Sequence, residues 1–301
     1  MIRPDSAEAA TRAGARVALV TCAELAGLDP DDRHLLDPLG ERGLAVAPAI
    51  WDDPSVDWSG YALVVLRSPW DYTSRREEFL AWADKVPRLR NPAAVLRWNT
   101  DKRYLTELAG AGVPVVPTDW FAPGHRWDPG ADGEVVIKPT VSAGSRDSGR
   151  YDLADTAART LARAHLDRLH AAGRVAMVQP YVPSVDSAGE TALIYLGGRY
   201  SHAIRKGPIL DGPDFGPDGS LYRTEDITPR EPTAAERAAA DRVLAALPFP
   251  AADLLYARVD LVPGSGEPLL MELELTEPSL FFRTAAGSAE RFADVILASV
   301  G

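Results

Sequence analysis

The chain has 301 residues, of which 46% are hydrophobic and 25% are charged, a composition typical of a folded protein with a sizeable core. Its formal net charge of -11 argues against a nucleic-acid partner, because phosphate backbones are bound by clustered lysine and arginine. A single cysteine, Cys22, excludes an internal disulfide, and no apolar stretch is long enough to span a bilayer, so we expect a cytoplasmic protein without a membrane partner.

The first hundred residues alternate apolar runs with a helical segment. Residues 1–14 are polar and alanine-rich and are expected to form a frayed tail. The predicted strands are Arg16–Thr21, Leu44–Ile50 and Tyr61–Leu66, and a helix is predicted over His34–Arg42. Continuous apolar strands that alternate with helices are typical of a parallel sheet.

Polar and aromatic residues follow the third predicted strand directly, in the run Arg-Ser-Pro-Trp-Asp-Tyr at 67–72. Ligands of open α/β sheets bind beyond the carboxyl ends of the strands, so this segment is a candidate substrate loop. The alternative is that Trp70 and Tyr72 only pack between lobes. Ser74 is predicted to cap a helix that ends at Ala83. The candidate substrate residues are Thr21, Arg67, Ser68, Trp70, Asp71 and Tyr72.

A second section of the chain begins near Asn99, where we place a domain boundary. Thr100 is expected to cap a helix that contains Lys102, and Gly197–Gly198 is expected to form a hairpin turn. Residues 207–219 are rich in Gly, Pro and Asp and are predicted to form a flexible loop. The remaining predicted strands are Glu134–Lys138, Arg174–Gln179, Thr191–Leu196, Tyr200–Arg205, Leu254–Val262 and Pro268–Leu273. The remaining predicted helices are Asp152–Ala172, Thr233–Leu247 and one that ends near Ser299.

Two acidic residues stand two positions apart on the last predicted strand, Glu272 and Glu274. Because side chains alternate along a strand, both carboxylates project from one face, and Asp260 on the neighbouring strand can join them. Crowded carboxylates on a largely buried sheet need a cation, and oxygen ligands suit magnesium. The alternative is an ordinary solvated acidic face, but Arg258 on the same face as Asp260 favours an anion and metal site.

Four basic residues are candidates to meet phosphate groups: Lys102, Lys138 and the adjacent Arg205 and Lys206. Between them, residues 142–149 are mostly small, and the backbone N–H groups of such a loop can cover a triphosphate. Alone these are weak signals, since surface lysines are usually solvated. The sequence has no Walker A loop, paired zinc cysteines, Gly-x-Ser-x-Gly elbow or His-Glu-x-x-His motif, so rival chemistries have no support.

The order of these features resembles the ATP-grasp superfamily from residue 99 to the end. The resemblance implies an α/β fold with α+β lobes and an N-terminal Rossmann-like parallel sheet, and it implies ATP and two magnesium ions as cofactors. It divides the chain into an N-terminal substrate domain at 15–98, a lid and nucleotide subdomain at 99–180 and a metal and catalytic subdomain at 181–301. The positions that match nucleotide-binding residues are Lys102, Lys138, Ser142, Gly144, Ser145, Gln179, Tyr181, Val182, Asp186 and Lys206.

The same resemblance assigns roles in phosphoryl transfer. The catalytic matches are Arg258, Arg205 and Lys206, and the magnesium-ligand matches are Asp260, Glu272 and Glu274. Many members of the superfamily have asparagine at the position of Glu274. A glutamate still offers oxygen to a metal but adds negative charge, so the metal geometry is open at this position.

Three segments resemble the cyclo-ligase family of D-cycloserine biosynthesis: residues 67–72, 98–102 and 271–282. The resemblance implies ATP-dependent closure of an amino-acid-like substrate, O-ureido-D-serine, through an acyl phosphate, and it suggests a homodimer. Phe281 and Phe282 are expected to be one pocket wall and one core residue. Two alternatives stay open: an intermolecular carboxylate–amine ligase, and a nucleotide-binding regulator without turnover, which the intact acidic set argues against.

Overall fold

A computed structural model describes residues 14–214, 216, 221–223 and 226–300. Most of the predicted tail and part of the predicted loop at 207–219 lie outside the described residues. The strands are β1 (Arg16–Thr21), β2 (Ala45–Ile50), β3 (Leu63–Ser68), β4 (Leu89–Arg90), β5 (Asp119–Phe121), β6 (Glu134–Pro139), β7 (Gly149–Asp152), β8 (Ala176–Pro180), β9 (Glu190–Leu196), β10 (Arg199–Lys206), β11 (Ile227–Pro229), β12 (Tyr256–Val262) and β13 (Leu269–Glu274). The α-helices are α1 (Leu36–Glu41), α2 (Arg76–Ala83), α3 (Ala93–Asn99), α4 (Tyr104–Gly110), α5 (Thr156–Ala171), α6 (Val185–Ala188), α7 (Ala234–Ala245) and α8 (Ser288–Ser299).

The strands form three sheets, which we call the N-terminal, middle and C-terminal sheets. The N-terminal sheet has the order β2-β1-β3-β4 and is parallel throughout, as predicted. The middle sheet has the order β5-β8-β6-β7, and the C-terminal sheet has the order β11-β10-β9-β12-β13. Both are antiparallel. The predicted hairpin turn between β9 and β10 is confirmed, since Gly197 and Gly198 have φ angles of 55° and 73°.

Several predicted helix starts are wrong, because the polar residue at the predicted start lies before the first turn of the helix. Ser74 lies in a 3-10 turn and donates to the Asp71 carbonyl, while α2 begins two residues later. Thr100 follows the last residue of α3, so Lys102 lies in the turn between α3 and α4 rather than on a helix. The helix predicted from Asp152 begins only at Thr156, because Asp152 completes β7.

One hydrophobic cluster joins the N-terminal and C-terminal sheets. It includes Val17 and Leu19 of β1, Ile194 of β9, and Phe292 and Ile296 of α8. The last helix of the chain therefore shares a core with the first strand. The domain limits at residues 98 and 180 remain a prediction.

Side chains and a short loop cover the outer edge of β13. Leu270 exchanges backbone hydrogen bonds with residues 114–116. Further along, the Tyr104 hydroxyl both donates to the Leu273 carbonyl at 2.8 Å and accepts from its N–H at 2.9 Å. The Asn99 amide then donates to the same carbonyl at 2.8 Å and accepts from the Leu275 N–H at 2.7 Å. These contacts fix the strand that carries Glu272 and Glu274.

Candidate active site

A cavity of about 650 Å³ lies where the three sheets meet. Its lining comes from the turn after β3, the turn before α4, the loop after β6, the acidic face of the C-terminal sheet and the segment that follows β13. The lining residues used below are Asp29, Asp31, Trp70, Tyr72, Lys102, Lys138, Ser142, Gly144, Ser145, Lys206, Tyr222, Arg258, Glu272, Glu274, Glu277 and Phe281.

The acidic strands pair in the register that brings their charged residues together. Asp260 lies opposite Glu272, and Arg258 lies opposite Glu274, with a shift in register just beyond Asp260. Glu272 and Glu274 both line the cavity, and the buried side chain of Leu273 between them belongs to a hydrophobic cluster. The predicted common face is therefore confirmed.

Each acid of this face is paired with a cation. Asp260 is fully buried and accepts from Lys206 at 2.6 Å and from Arg258 at 2.9 Å. Arg258 also contacts Glu274, and Lys102 lies 3.0 Å from Glu272. The pairs place three negative and three positive charges close together on this face, an arrangement that an ordinary solvated surface does not need.

The pKa values of these acids differ because the neighbouring cations offset burial to different extents. Burial would raise the pKa of Asp260, but Arg258 and Lys206 hold it at about 2. Burial, together with the negative charges of Glu272 and Asp260, raises the pKa of Glu274 to about 8 despite the adjacent Arg258. Opposing burial, Lys102 and Lys138 lower the pKa of Glu272. This unfavourable crowding around Glu274 is what a divalent cation would relieve, so the donor set fits magnesium.

Within the described residues, however, no group of three or more His, Cys, Asp or Glu side chains is already arranged to hold a metal ion. Both oxygens of Asp260 are occupied by Arg258 and Lys206, and Asp260 does not line the cavity. Glu272 and Glu274 do line it. The assignment of Asp260, Glu272 and Glu274 as magnesium ligands therefore stays a prediction.

Lysines connect the acidic face to the small-residue loop after β6. Lys102 donates to the Ser142 carbonyl at 2.8 Å as well as approaching Glu272. Lys138 at the end of β6 also lines the cavity, and burial lowers the pKa of its ammonium group. Lys206 lines the cavity, but Arg205 points away and donates to the Ala188 carbonyl at 2.9 Å. Consecutive strand residues face opposite sides, so only Lys206 of this pair lines the cavity, and the catalytic role of Arg205 stays a prediction.

The loop after β6 closes against a distant segment at Gly144. This glycine has a φ of 62°, and a Cβ there would lie 2.5 Å from the Tyr222 Cβ and 2.7 Å from the Leu221 carbonyl oxygen. The ring of Tyr222 in turn packs edge-on against Trp70 at 5.2 Å. Ser142, Gly144 and Ser145 all line the cavity, as the nucleotide assignment requires.

The four residues assigned to adenine and ribose lie at and beyond the end of β8, outside the cavity lining. Gln179 is buried and donates to Thr118 at 2.9 Å. Tyr181 donates to Asp186, and Arg150 approaches both, with its guanidinium 3.5 Å from the Tyr181 ring centroid. The nucleotide-binding roles of Gln179, Tyr181, Val182 and Asp186 stay predictions.

The candidate substrate residues separate into two groups. Trp70 and Tyr72 line the cavity. Thr21 and Ser68 are buried and hydrogen-bonded to each other at 3.1 Å, while Asp71 accepts from Trp51 at 2.9 Å. Arg67 is buried in an ion pair with Asp32.

Four of the six substrate assignments thus concern residues outside the cavity lining, Thr21, Arg67, Ser68 and Asp71. The reason is that β3 extends two residues further than predicted, so Arg67 and Ser68 belong to the sheet. Phe281 lines the cavity and Phe282 stacks on Phe292 in the core, which confirms the expected division of this pair.

Sequence reasoning missed Glu277, which lines the cavity three residues beyond Glu274. The Tyr72 hydroxyl donates to its Oε1 at 2.8 Å, and Trp70 donates to its backbone carbonyl at 3.0 Å. The sequence did offer one signal for Glu277, since it is an acidic residue within the segment 271–282 that resembles the cyclo-ligase family. Burial raises the pKa of Glu277 to about 7.

The family model for the N-terminal domain of D-cycloserine synthetase DcsG matches residues 17–94. Over 304 residues the chain is 40% identical to the cycloserine biosynthesis protein DcsG of Streptomyces lavendulae, with 93% of this chain and 97% of that protein covered. The chain belongs to the D-cycloserine synthetase family. The crystal structure of D-cycloserine synthetase DcsG matches with a TM-score of 0.82 and 38% identity over 95% of this chain and 100% of that one.

More distant structures place the family within the ATP-grasp ligase fold. D-alanine–D-alanine ligase from Bacillus anthracis matches with a TM-score of 0.63 and 13% identity, covering 95% of this chain and 97% of that one. A RimK-domain ATP-grasp protein from Sphaerobacter thermophilus matches with a TM-score of 0.64 and 18% identity, covering 94% and 100%. As a member of the D-cycloserine synthetase family, this chain is a ligase with the ATP-grasp fold. Among its described residues, the helices are too short or too polar to cross a membrane.

Proposed function

We propose that this enzyme uses ATP to activate the carboxylate of O-ureido-D-serine and closes the activated molecule to D-cycloserine. The observation that carries the proposal is the cavity in which Lys102, Lys138, Lys206 and Arg258 surround Glu272 and Glu274. The chain's membership of the D-cycloserine synthetase family and its 40% identity to DcsG support this choice of substrate. The four cationic side chains on its wall can bind the phosphates of a nucleoside triphosphate and the carboxylate of a substrate.

In the first step the substrate carboxylate attacks the γ-phosphate of ATP and gives an acyl phosphate and ADP. Arg258 and Lys206 lie on the cavity wall, where their positive charges stabilise the transferring phosphoryl group. Glu272 and Glu274, with Asp260 after a change of partner, would hold magnesium. When bound, magnesium neutralises charge on the phosphates and orients them.

In the second step the oxygen-linked nitrogen of the ureido group attacks the acyl carbon. A carbon–nitrogen bond forms, the bond from carbon to the phosphate oxygen breaks, and inorganic phosphate leaves. Hydrolysis of the remaining carbamoyl group then releases carbon dioxide and ammonia. Closure of a five-membered ring needs no second substrate, since both reacting groups are held in one molecule.

The test is a coupled assay for ADP release in the presence of magnesium, with mass spectrometry of the product. Purified enzyme is given O-ureido-D-serine alone, pairs of amino acids, or no acceptor. We expect ADP and D-cycloserine with the first alone. Release only with pairs would establish an intermolecular ligase, and binding of ATP without release in any arm would establish a regulator; either result overturns the proposal.

Glu272→Gln provides a second check, because it removes one negative charge from the cavity and keeps the shape of the side chain. We expect kcat to fall by roughly 100-fold or more and the dependence on magnesium concentration to move to higher values. Glu267→Gln is the matched control, since Glu267 is exposed and pairs with Arg242 outside the cavity. Unchanged kcat in Glu272→Gln would mean that the magnesium assignment is wrong.

A further inference from the structure

Glu277 is a buried carboxylate on the wall of the cavity, with 8% of the residue exposed. The Tyr72 hydroxyl donates to its Oε1 at 2.8 Å, and its backbone carbonyl accepts from Trp70 at 3.0 Å. Both partners belong to the turn after β3. These two hydrogen bonds fix Glu277 against the turn after β3, at the wall of the cavity.

The other acids that line the cavity all have an ionic or backbone N–H partner. Glu272 pairs with Lys102, and Glu274 pairs with Arg258. Asp31 accepts from the Phe282 N–H at 2.9 Å, and Asp29 accepts from the Asp31 N–H at 2.9 Å.

Glu277 differs, since its side chain has one phenol donor and, among the described residues, no ion pair. A buried carboxylate without an ion-pair partner is costly, and burial raises its pKa to about 7 even though the charges of Lys102 and Arg258 oppose the rise. A cationic group on a bound ligand would remove this cost.

We propose that Glu277, held by Tyr72, binds the α-ammonium group of the amino-acid substrate. This inference rests on the proposed function. The carboxylate end of the substrate must face Lys206 and Arg258, where phosphoryl transfer occurs, so its ammonium group needs an anion elsewhere on the wall. A carboxylate binds an ammonium group more strongly than it binds a neutral ureido N–H, because charged hydrogen bonds are roughly twice as strong as neutral ones.

The experiment compares two substrates on two enzymes. One substrate is O-ureido-D-serine, and the other is 3-(ureidooxy)propanoate, which lacks only the α-amine and can still close its ring. We expect kcat/KM of the wild type to be roughly 10- to 100-fold lower for the second substrate. In Glu277→Gln we expect a similar loss for O-ureido-D-serine, little further loss for 3-(ureidooxy)propanoate, and an unchanged KM for ATP.

Two further variants separate recognition of the amine from a structural effect. Glu290→Gln, at an exposed position on α8, should leave the preference between the two substrates as in the wild type. Tyr72→Phe removes the phenol donor but keeps the carboxylate, so we expect a smaller loss of preference than in Glu277→Gln. Thermal unfolding of each variant checks that it is folded at the assay temperature.

The outcomes distinguish the inference from the proposed function. If Glu277→Gln keeps the wild-type preference, or slows both substrates by the same factor, Glu277 does not bind the amine and the inference is overturned. A wild type that accepts both substrates equally also overturns it. A wild type that releases ADP only with a different amino acid overturns the proposed function alone, and that amino acid and its des-amino analogue then test Glu277 in the same design.

Discussion

Two buried arginine–aspartate pairs in this enzyme have almost the same Nε–Oδ1 distance but different surroundings. Arg67 lies 2.8 Å from Asp32, and Arg258 lies 2.9 Å from Asp260. The side chains are 0% and 3% exposed in the first pair and 6% and 0% in the second. The first pair is enclosed by protein, whereas Arg258 reaches the cavity wall beside Phe281. Access to a cavity, rather than burial of a charge, distinguishes the functional pair.

The two aspartates also differ in how fully their charge is compensated. Asp260 has two cationic neighbours and a pKa of about 2, although burial opposes this. Burial raises the pKa of Asp32 to about 6, and its single cation, Arg67, offsets this only in part. The Oδ2 atom of Asp32 is buried and has no hydrogen-bond partner among the described residues. The enclosed pair is the weaker one electrostatically, so substitutions in the two pairs should have separable effects.

The largest expected effect is on catalysis, in Arg258→Met. Loss of a cation beside the transferring phosphoryl group should lower kcat by roughly 1000-fold. Rates of ADP release at saturating ATP measure this. Arg258→Lys should recover part of the rate, since it restores charge without the planar fork. A rate within a few-fold of the wild type in Arg258→Met would remove the distinction between the pairs.

Arg67→Met should instead act on stability. It leaves the Asp32 carboxylate buried without its cation, which we expect to lower the free energy of unfolding by about 3–5 kcal/mol. Urea titration measures this loss, and kcat per folded molecule should stay near the wild-type value. Arg67→Met combined with Asp32→Asn should recover part of the stability, and failure to recover any would mean that the cost comes from packing on Tyr256.

The pH dependence of stability offers a third comparison, through Asp32. Its pKa of about 6 in the folded protein exceeds the ordinary value of 3.8, so the folded state holds the proton more tightly. Its stabilising contribution is therefore complete at low pH and is lost as pH rises through about 6. Between about pH 4.5 and about pH 6.5 the wild type should lose about 2 kcal/mol relative to Asp32→Asn in urea titrations. A parallel pH profile in the two proteins would contradict the raised pKa.

The smallest expected effect concerns the loop that closes on Tyr222. Gly144→Ala introduces a Cβ that would lie 2.5 Å from the Tyr222 Cβ, so the loop that lines the cavity must shift. We expect the KM for ATP to rise by roughly 10-fold, as about 1.4 kcal/mol of binding is lost. Gly173→Ala is the matched control, because Gly173 also has a positive φ, of 70°, but nothing lies within 4 Å of its Cβ position. It should cost about 1 kcal/mol of stability and leave the KM for ATP unchanged.

The strands and the acidic face were predictable from the sequence because their signals are local. Apolar runs define β1 and β12, and alternation alone fixes the common face of Glu272 and Glu274. The substrate half was not predictable in this way. Arg67 resembles a ligand residue in sequence, but its partners Asp32 and the Pro278 carbonyl lie 35 and 211 positions away.

The role of Glu277 could not be read from the sequence for a similar reason. Its role follows from its hydrogen bond with Tyr72, 205 positions away, and from a comparison with Glu272 and Glu274, which have ion-pair partners. Thr100 illustrates a smaller failure, since a residue type that favours helix starts here ends α3. Local propensity does not show whether a polar residue between two helices ends the first or begins the second.

The covered edge of β13 limits how this enzyme can assemble. Because Asn99, Tyr104 and residues 114–116 already use the outward backbone groups of that strand, a second chain has no free row of donors and acceptors to pair with there. Two protomers therefore cannot join their C-terminal sheets through β13 into one continuous sheet. A homodimer, if it forms, must bury a different surface and leave the acidic strand to catalysis.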